Sequence, residues 1–184
     1  MLTKEQIIQY QEEGFVIPDY KMSENDLLEI EEKHNQLINK YPEYKNYCPA
    51  VLLKDESFLK YCLNDKILDF VKQLLGNNFA LWNSSFFAKP AHNGFETPWH
   101  QDGQYWPINP LATCTVWLAI DDATEENGCL RFIKGSHKDK KLKDHSRNNK
   151  KNLTLHQELN KNEYDISKSV NLLLKRGQIS LHDV

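Results

Sequence analysis

The chain has 184 residues, 40% of them hydrophobic and 27% charged, with a formal net charge of −3. This describes one globular domain, or most of one, and gives no indication of nucleic acid or a membrane surface as a partner. The four cysteines lack C-x-x-C spacing and are expected to be reduced thiols. Residues 1–11 are polar and no apolar run approaches membrane-spanning length, so the expected location is the cytoplasm.

The N-terminal part, about residues 1–76, predicts helices. Thr3 begins a capping-box pattern, and Ser23 and Asn64 are placed to cap two longer helices with apolar stripes. His34 falls within the stripe of the second helix. We interpret it as a helix residue that packs its ring in the core, and not as a metal ligand.

The pattern changes to strands at residue 79. Residues 79–89 alternate with period two, which places Asn83 and Ser85 on one face beside apolar residues. These polar groups could open into a lined cavity, and an ordinary wet strand face fits the segment equally well. Residues 112–120 are rich in β-branched and aromatic side chains and predict the clearest strand. Further strands are predicted over 129–133, 170–174 and 178–184.

Short strands after a helical N-terminal third predict a mainly β fold with N-terminal helices. The expected architecture is a β-sandwich or jelly roll with helices packed outside it. No internal repeat or linker divides the sequence, so residues 1–184 are expected to form a single domain, with a β core over about 79–184.

Residues 138–151 form a hydrophilic segment with seven lysine or arginine side chains. Such a run is typical of a solvated loop, and the alternative is a lid that meets an anionic substrate. His145 and His156 have no ligand-like neighbours in the sequence and are expected to be exposed.

The segment 97–103 carries the strongest chemical signal, through His100 and Asp102. In an extended segment, residues two apart point to the same side, so an imidazole nitrogen and a carboxylate oxygen would face one spot. With a second histidine they would make the two-histidine, one-carboxylate triad that leaves open positions at iron(II). Taken alone, a His-x-Asp pair is more often an ordinary surface pair.

Several blocks in the same order resemble the phytanoyl-CoA dioxygenase family, which are iron(II)- and 2-oxoglutarate-dependent oxygenases with a double-stranded β-helix. A proline is more usual in that family where Lys134 stands. The blocks are Gly14-Phe15-Val16, Phe58-Leu59-Lys60-Tyr61-Cys62, Lys89-Pro90, Trp99-His100-Gln101-Asp102, Asn127-Gly128-Cys129-Leu130, Lys134-Gly135-Ser136-His137 and Gly177-Gln178-Ile179-Ser180-Leu181-His182.

The resemblance implies roles for particular residues. His100 and Asp102 match the proximal iron ligands, and Trp117 matches a position that lines the 2-oxoglutarate site. Asn83 and Ser85 lie on the strand that contributes to that site. The implied fold is a cupin-like jelly roll flanked by helices. The implied cofactors are iron(II), 2-oxoglutarate as cosubstrate and O2, with a small-molecule or acyl substrate that is hydroxylated.

The resemblance also implies a distal histidine as third ligand, and an arginine for 2-oxoglutarate, a few residues beyond His182. The sequence given stops at Val184, so we expect it to be a fragment that binds iron poorly when made alone. His182 itself matches a non-ligand position. Two alternatives stay open: a catalytically silent binding protein on the same fold, and a zinc-dependent hydrolase using the same ligands. Because Asp102 is present, hydroxylation is favoured over halogenation.

Overall fold

The computed structural model describes residues 1–106 and 108–184 and combines N-terminal helices with short strands, as predicted. The helices are α1 (Lys4–Glu13), α2 (Glu24–Lys40), α3 (Leu59–Cys62) and α4 (Asp65–Leu75). The strands are β1 (Phe15–Val16), β2 (Tyr47–Cys48), β3 (Phe86–Phe87), β4 (Thr115–Leu118), β5 (Leu130–Ile133), β6 (His145–Arg147), β7 (Gln157–Leu159), β8 (Ser169–Leu172) and β9 (Ile179–His182).

Local sequence signals explain where the helices begin. Thr3 and Gln6 form a complete capping box, because each backbone amide donates to the other's side chain at 3.0 and 3.2 Å. Ser23 and Asn64 accept hydrogen bonds from the first-turn amides of α2 and α4, as predicted.

The apolar faces of α2 and α4 share one core with β1 and β9. Leu27 of α2 is fully buried in this core, together with Val16 and Leu181. The His34 ring lies 4.7 Å from the Phe86 ring, and burial lowers the pKa of this histidine. The prediction that His34 packs its ring is therefore confirmed.

Strand β9 is the centre of the three-stranded sheet β1-β9-β4, and both neighbours run antiparallel to it. Its middle position places His182 opposite Phe15 on one side and opposite Thr115 on the other. All four residues of β9 are buried, including the polar Ser180 and His182. The sheet therefore joins segments from both ends of the described chain.

The predicted strand over residues 79–89 is mostly wrong. Only Phe86 and Phe87 pair, with β2, and Trp82 is 57% exposed. Alternating polarity is compatible with a strand, but a strand forms only where a neighbour supplies ladder hydrogen bonds. Among the described residues, the one backbone bond that reaches 79–85 from elsewhere runs from Val51 N to Ser84 O.

The basic segment is more ordered than a solvated loop. Residues His145–Arg147 within it form β6, which pairs antiparallel with β7. His145 lies in β6 and is half-buried, so the expectation that it is exposed is wrong, whereas His156 is exposed as expected. All four cysteines are free thiols, as expected. None of the helices in the described ranges is long and apolar enough to span a bilayer.

Gly14 makes a close approach that requires the absence of a side chain. It ends α1 with φ at +89°, and a Cβ added there would lie 2.6 Å from Nδ1 of the buried His137. Gly135 also has a positive φ, +73°, but its nearest neighbour would be 3.4 Å away.

We predict that Gly14→Ala destabilises the protein more than Gly135→Ala. Both substitutions incur the cost of a left-handed residue, about 1–2 kcal/mol. Gly14→Ala adds the displacement of His137, for which overpacking costs of about 1–3 kcal/mol are typical. Free energies of unfolding from denaturant titrations provide the comparison. Equal values for the two variants would show that the approach to His137 contributes nothing.

Candidate metal centre

Gln101, between His100 and Asp102, has extended backbone angles, and Asp102 begins a 3-10 turn that runs to Tyr105. This segment is not a strand of any sheet, although His100 and Asp102 do meet as the sequence predicted. The His100 Nε2 atom lies 3.2 Å from Asp102 Oδ1, and the two side chains are 20% and 22% exposed. The two groups therefore meet at a partly accessible spot.

A hydrogen bond to the backbone carbonyl of Pro98 fixes the orientation of the His100 ring. Its Nδ1 lies 2.7 Å from Pro98 O, and a backbone carbonyl can only accept, so Nδ1 carries the proton. The Nε2 atom is then the nitrogen directed at Asp102. The Tyr105 ring meets the His100 ring edge-on at 5.9 Å. A backbone carbonyl on the outer nitrogen is the arrangement that usually orients a histidine for metal binding.

Asp102 is held in its charged form. Burial alone would raise its pKa, but hydrogen bonds from His100 and His182, with the charges of both rings, hold the pKa well below the usual range. Thr115 Oγ1 donates a further hydrogen bond to Asp102 Oδ2 at 2.8 Å. Burial would lower the pKa of His100, but the hydrogen bond and charge of Asp102 raise it above its usual value.

His182 is the residue of this site that the sequence did not predict. Its Nε2 lies 3.4 Å from Asp102 Oδ2, and its ring lies 4.9 Å from that of Phe132. Its Nδ1 is buried without a hydrogen-bond partner. Within the described ranges, no group of three histidine, cysteine or acidic side chains is arranged as a metal-binding set. His182 faces the oxygen of Asp102 that His100 does not contact.

The structure separates the other predicted site residues. Ser85 lies beside Tyr47: burial raises the pKa of this phenol, a hydrogen bond with Ser85 opposes the rise, and the charge of Asp102 adds to it. Asn83 is exposed, with contacts to Ser84 and to Ser85 Oγ at 3.4 Å. Ser85 thus neighbours Tyr47, a residue that the sequence did not single out and whose pKa also responds to the charge of Asp102.

Trp117 follows Thr115 by two residues in β4, so the two side chains share one face of the strand. It is half-buried and packs on a small apolar cluster that includes Ala119 and Cys129. This position is compatible with both a wall of the site and a plain core residue. The alternation of 112–120 was the signal that could have identified Thr115.

The basic segment, residues 138–151, contacts segment 97–103 through Gln101. The Gln101 side chain donates to Lys141 O at 3.0 Å and accepts from Lys143 N at 2.7 Å. Its backbone amide donates to His145 Nε2 at 3.1 Å. The Tyr105 hydroxyl, in the aromatic stretch 103–107, donates to Gln157 O and accepts from Gln157 N. Pro107 of that stretch lies outside the described residues.

Acidic side chains neutralise much of the basic segment's charge, which weakens the interpretation of a lid for an anionic substrate. Asp183 accepts from Lys140 at 2.5 Å and Asp139 from Lys143 at 3.1 Å. Two further pairs are Lys138 with Glu12 and Lys150 with Glu96.

The donor chemistry fits a divalent first-row metal. An imidazole nitrogen and a carboxylate oxygen converge, the imidazole has the required tautomer, and the carboxylate is ionised. Iron(II) accepts this nitrogen and oxygen set. His100 and Asp102 are the residues that would hold it.

The sequence model for phytanoyl-CoA dioxygenase matches residues 2–184. The chain belongs to the phytanoyl-CoA dioxygenase family. The resemblance inferred from the sequence blocks is therefore confirmed. Members of this family depend on iron(II) and 2-oxoglutarate and also use O2.

Curated members of the phytanoyl-CoA dioxygenase family are similar to this chain over part of their own length. A probable phytanoyl-CoA dioxygenase of Caenorhabditis elegans is 37% identical over 91 residues, which cover 46% of this chain and 29% of the relative. The peroxisomal phytanoyl-CoA dioxygenase of Mus musculus is 27% identical over 164 residues, 75% of this chain and 48% of the relative. The chain thus spans about half the length, or less, of these relatives.

Solved structures share the fold. The apo form of the non-heme monooxygenase ThoJ superposes with a TM-score of 0.78 at 24% identity, covering 97% of this chain and 67% of the other. EvdO2 from Micromonospora carbonacea var. aurantiaca, complexed with 2-oxoglutarate, gives 0.76 at 18% identity and covers 100% and 81%. This family member therefore has the fold of known non-heme oxygenases.

We predict that Gln101→Ala speeds hydrogen exchange of the Lys143 backbone amide, whereas Gln101→Glu leaves the exchange rate unchanged. The loss of one hydrogen bond of about 1 kcal/mol corresponds to a roughly fivefold faster amide exchange. Glutamate keeps the acceptor for Lys143 N but loses the donor to Lys141 O. Hydrogen exchange of the Lys143 amide measures the difference. Unchanged exchange in Gln101→Ala would mean that the β6-β7 pairing alone holds the segment.

Proposed function

We propose that this protein is an iron(II)- and 2-oxoglutarate-dependent dioxygenase that hydroxylates a C–H bond of a small-molecule or acyl substrate. The observation that supports it most is the His100–Asp102 pair, with the imidazole fixed from behind by Pro98 O. Family membership favours the oxygenase over a silent binding protein and over a zinc hydrolase.

In this proposal His100 Nε2 and Asp102 Oδ1 are metal ligands. When bound, iron(II) supplies the oxidising chemistry by which 2-oxoglutarate and O2 become succinate and carbon dioxide, with one oxygen atom passed to the substrate. The protein's residues orient the ligands and limit water. Pro98 O keeps the proton on Nδ1 of His100, and Thr115 keeps Asp102 in place.

The remaining residues have supporting roles in the proposal. Trp117 lines the 2-oxoglutarate site from β4, and Ser85, with Asn83 on the same segment, borders it. A third ligand, a distal histidine, is proposed to come from outside residues 1–184, because His182 matches a non-ligand position of the family pattern. We further propose that residues 1–184 form one domain with a double-stranded β-helix.

We predict that Asp102→Ala abolishes iron(II) binding and 2-oxoglutarate turnover without unfolding the protein, because it removes one of the two convergent donors. Asp69→Ala, an exposed change on α4, is the control. Asp102→Gly is the sharper variant, since the vacated position could admit chloride. Iron titration and a succinate assay on a version extended past residue 184, together with a melting curve, provide the test. Normal turnover in Asp102→Ala would contradict the ligand assignment.

We predict that Trp117→Ala raises the 2-oxoglutarate concentration needed for half-maximal turnover more than it harms folding. Trp117→Phe keeps apolar bulk on the same cluster and should have a smaller effect on both quantities. A plain core tryptophan would instead cost roughly 3–5 kcal/mol of stability on truncation. A large loss of stability with an unchanged 2-oxoglutarate requirement would therefore identify Trp117 as a core residue only.

A further inference from the structure

We propose that Thr115 and His182 are a positioning pair that occupies one oxygen of Asp102, so that Asp102 binds the metal through its other oxygen alone. This inference rests on the proposed function, because it assumes that Asp102 is a ligand. It assigns no contact with metal or substrate to either Thr115 or His182.

The strand register places the two residues together. Thr115 of β4 and His182 of β9 are direct Cα partners, so their side chains project to the same face of the sheet. Asp102 lies outside the sheet and approaches that face from its own turn. Strand β9 is also paired with β1, and the His182 ring lies 4.9 Å from the Phe132 ring, so His182 is held at the centre of the sheet.

The two oxygens of Asp102 have different partners. Oδ2 accepts from Thr115 Oγ1 at 2.8 Å and lies 3.4 Å from His182 Nε2. Oδ1 lies 3.2 Å from His100 Nε2, the proposed ligand atom. Since an ionised carboxylate only accepts, the Thr115 hydroxyl must donate, which makes this a charge-assisted hydrogen bond. The His182 contact is longer and weaker.

This division of the carboxylate has a consequence for coordination. A carboxylate with both oxygens free can bind a metal bidentately and fill an additional position. With Oδ2 engaged by the protein, Asp102 fills one position and leaves more of the metal for other ligands. Substitution of an outer partner of this kind typically costs about 10–100-fold in metal affinity.

The chain offers a matched test at Thr115. Thr115→Val removes the hydroxyl at nearly constant shape, and Thr115→Ser restores it. Thr113→Val makes the same change two residues earlier, where Oγ1 is buried without a hydrogen-bond partner. Cobalt(II) alone is the probe, titrated without 2-oxoglutarate or substrate into a version extended past residue 184, so that the proposed third ligand is present. Affinity and the cobalt visible absorption, which weakens as coordination number rises, are both recorded.

We expect Thr115→Val to bind cobalt(II) about 10–100-fold more weakly. Its cobalt absorption should change, because the freed Oδ2 can also bind the metal. Thr115→Ser and Thr113→Val should match the wild type in both measurements. Unaltered cobalt binding in Thr115→Val would overturn the inference and leave the proposed function intact. A wild-type protein that binds no metal would overturn the proposed function and the inference with it.

The role of His182 is tested by removing or keeping a side-chain N–H that can donate to Asp102. His182→Gln retains an N–H that can reach Asp102, and His182→Leu removes it. A positioning role predicts that glutamine preserves cobalt(II) affinity better than leucine does. Equal, severe loss in both folded variants would mean that the imidazole itself binds the metal, which overturns the pair. Melting curves establish that each variant is folded, and the Thr115 series decides the matter if neither His182 variant folds.

Discussion

The pairing of β9 with both β1 and β4 is the interaction on which the rest of the structure depends. It joins the segment after α1 to the strand that carries Thr115, and its apolar side chains enter the core beneath α2 and α4. Because β9 is completely buried, its register is strongly specified: a shift by one residue would exchange the core and site faces. The same register brings His182 to Asp102.

The sequence predicted helices better than strands, for a physical reason. The N-termini of α1 and α2 depend on Thr3 and Ser23, whose hydrogen bonds join residues three apart and can be predicted from a few residues of sequence. A strand needs a partner that is distant in sequence. Residues 79–85 alternate like a strand but have no neighbouring strand among the described residues to pair with. Strand β6 forms within a basic segment because it pairs with β7 and because His145 accepts a hydrogen bond from the Gln101 amide.

The candidate site also contains residues that local sequence predicts and residues that it does not. His100 and Asp102 were predicted to meet because they are two positions apart in the sequence, and they do meet although their segment is not a strand. The contact of Thr115 and His182 with Asp102 depends on the β4-β9 register, which no local pattern reveals. Tyr47 was missed for a similar reason, since its neighbour Ser85 is reached through the β2-β3 pairing.

The central position of β9 also determines when this sheet can form during synthesis. Strands β1 and β4 leave the ribosome long before β9, and until it emerges both present unsatisfied backbone groups on the edges that it will occupy. Closing this sheet requires contacts between residues far apart in sequence, which fold slowly. The growing chain therefore passes through an interval with two open strand edges and an incomplete core, which is the state that chaperones bind.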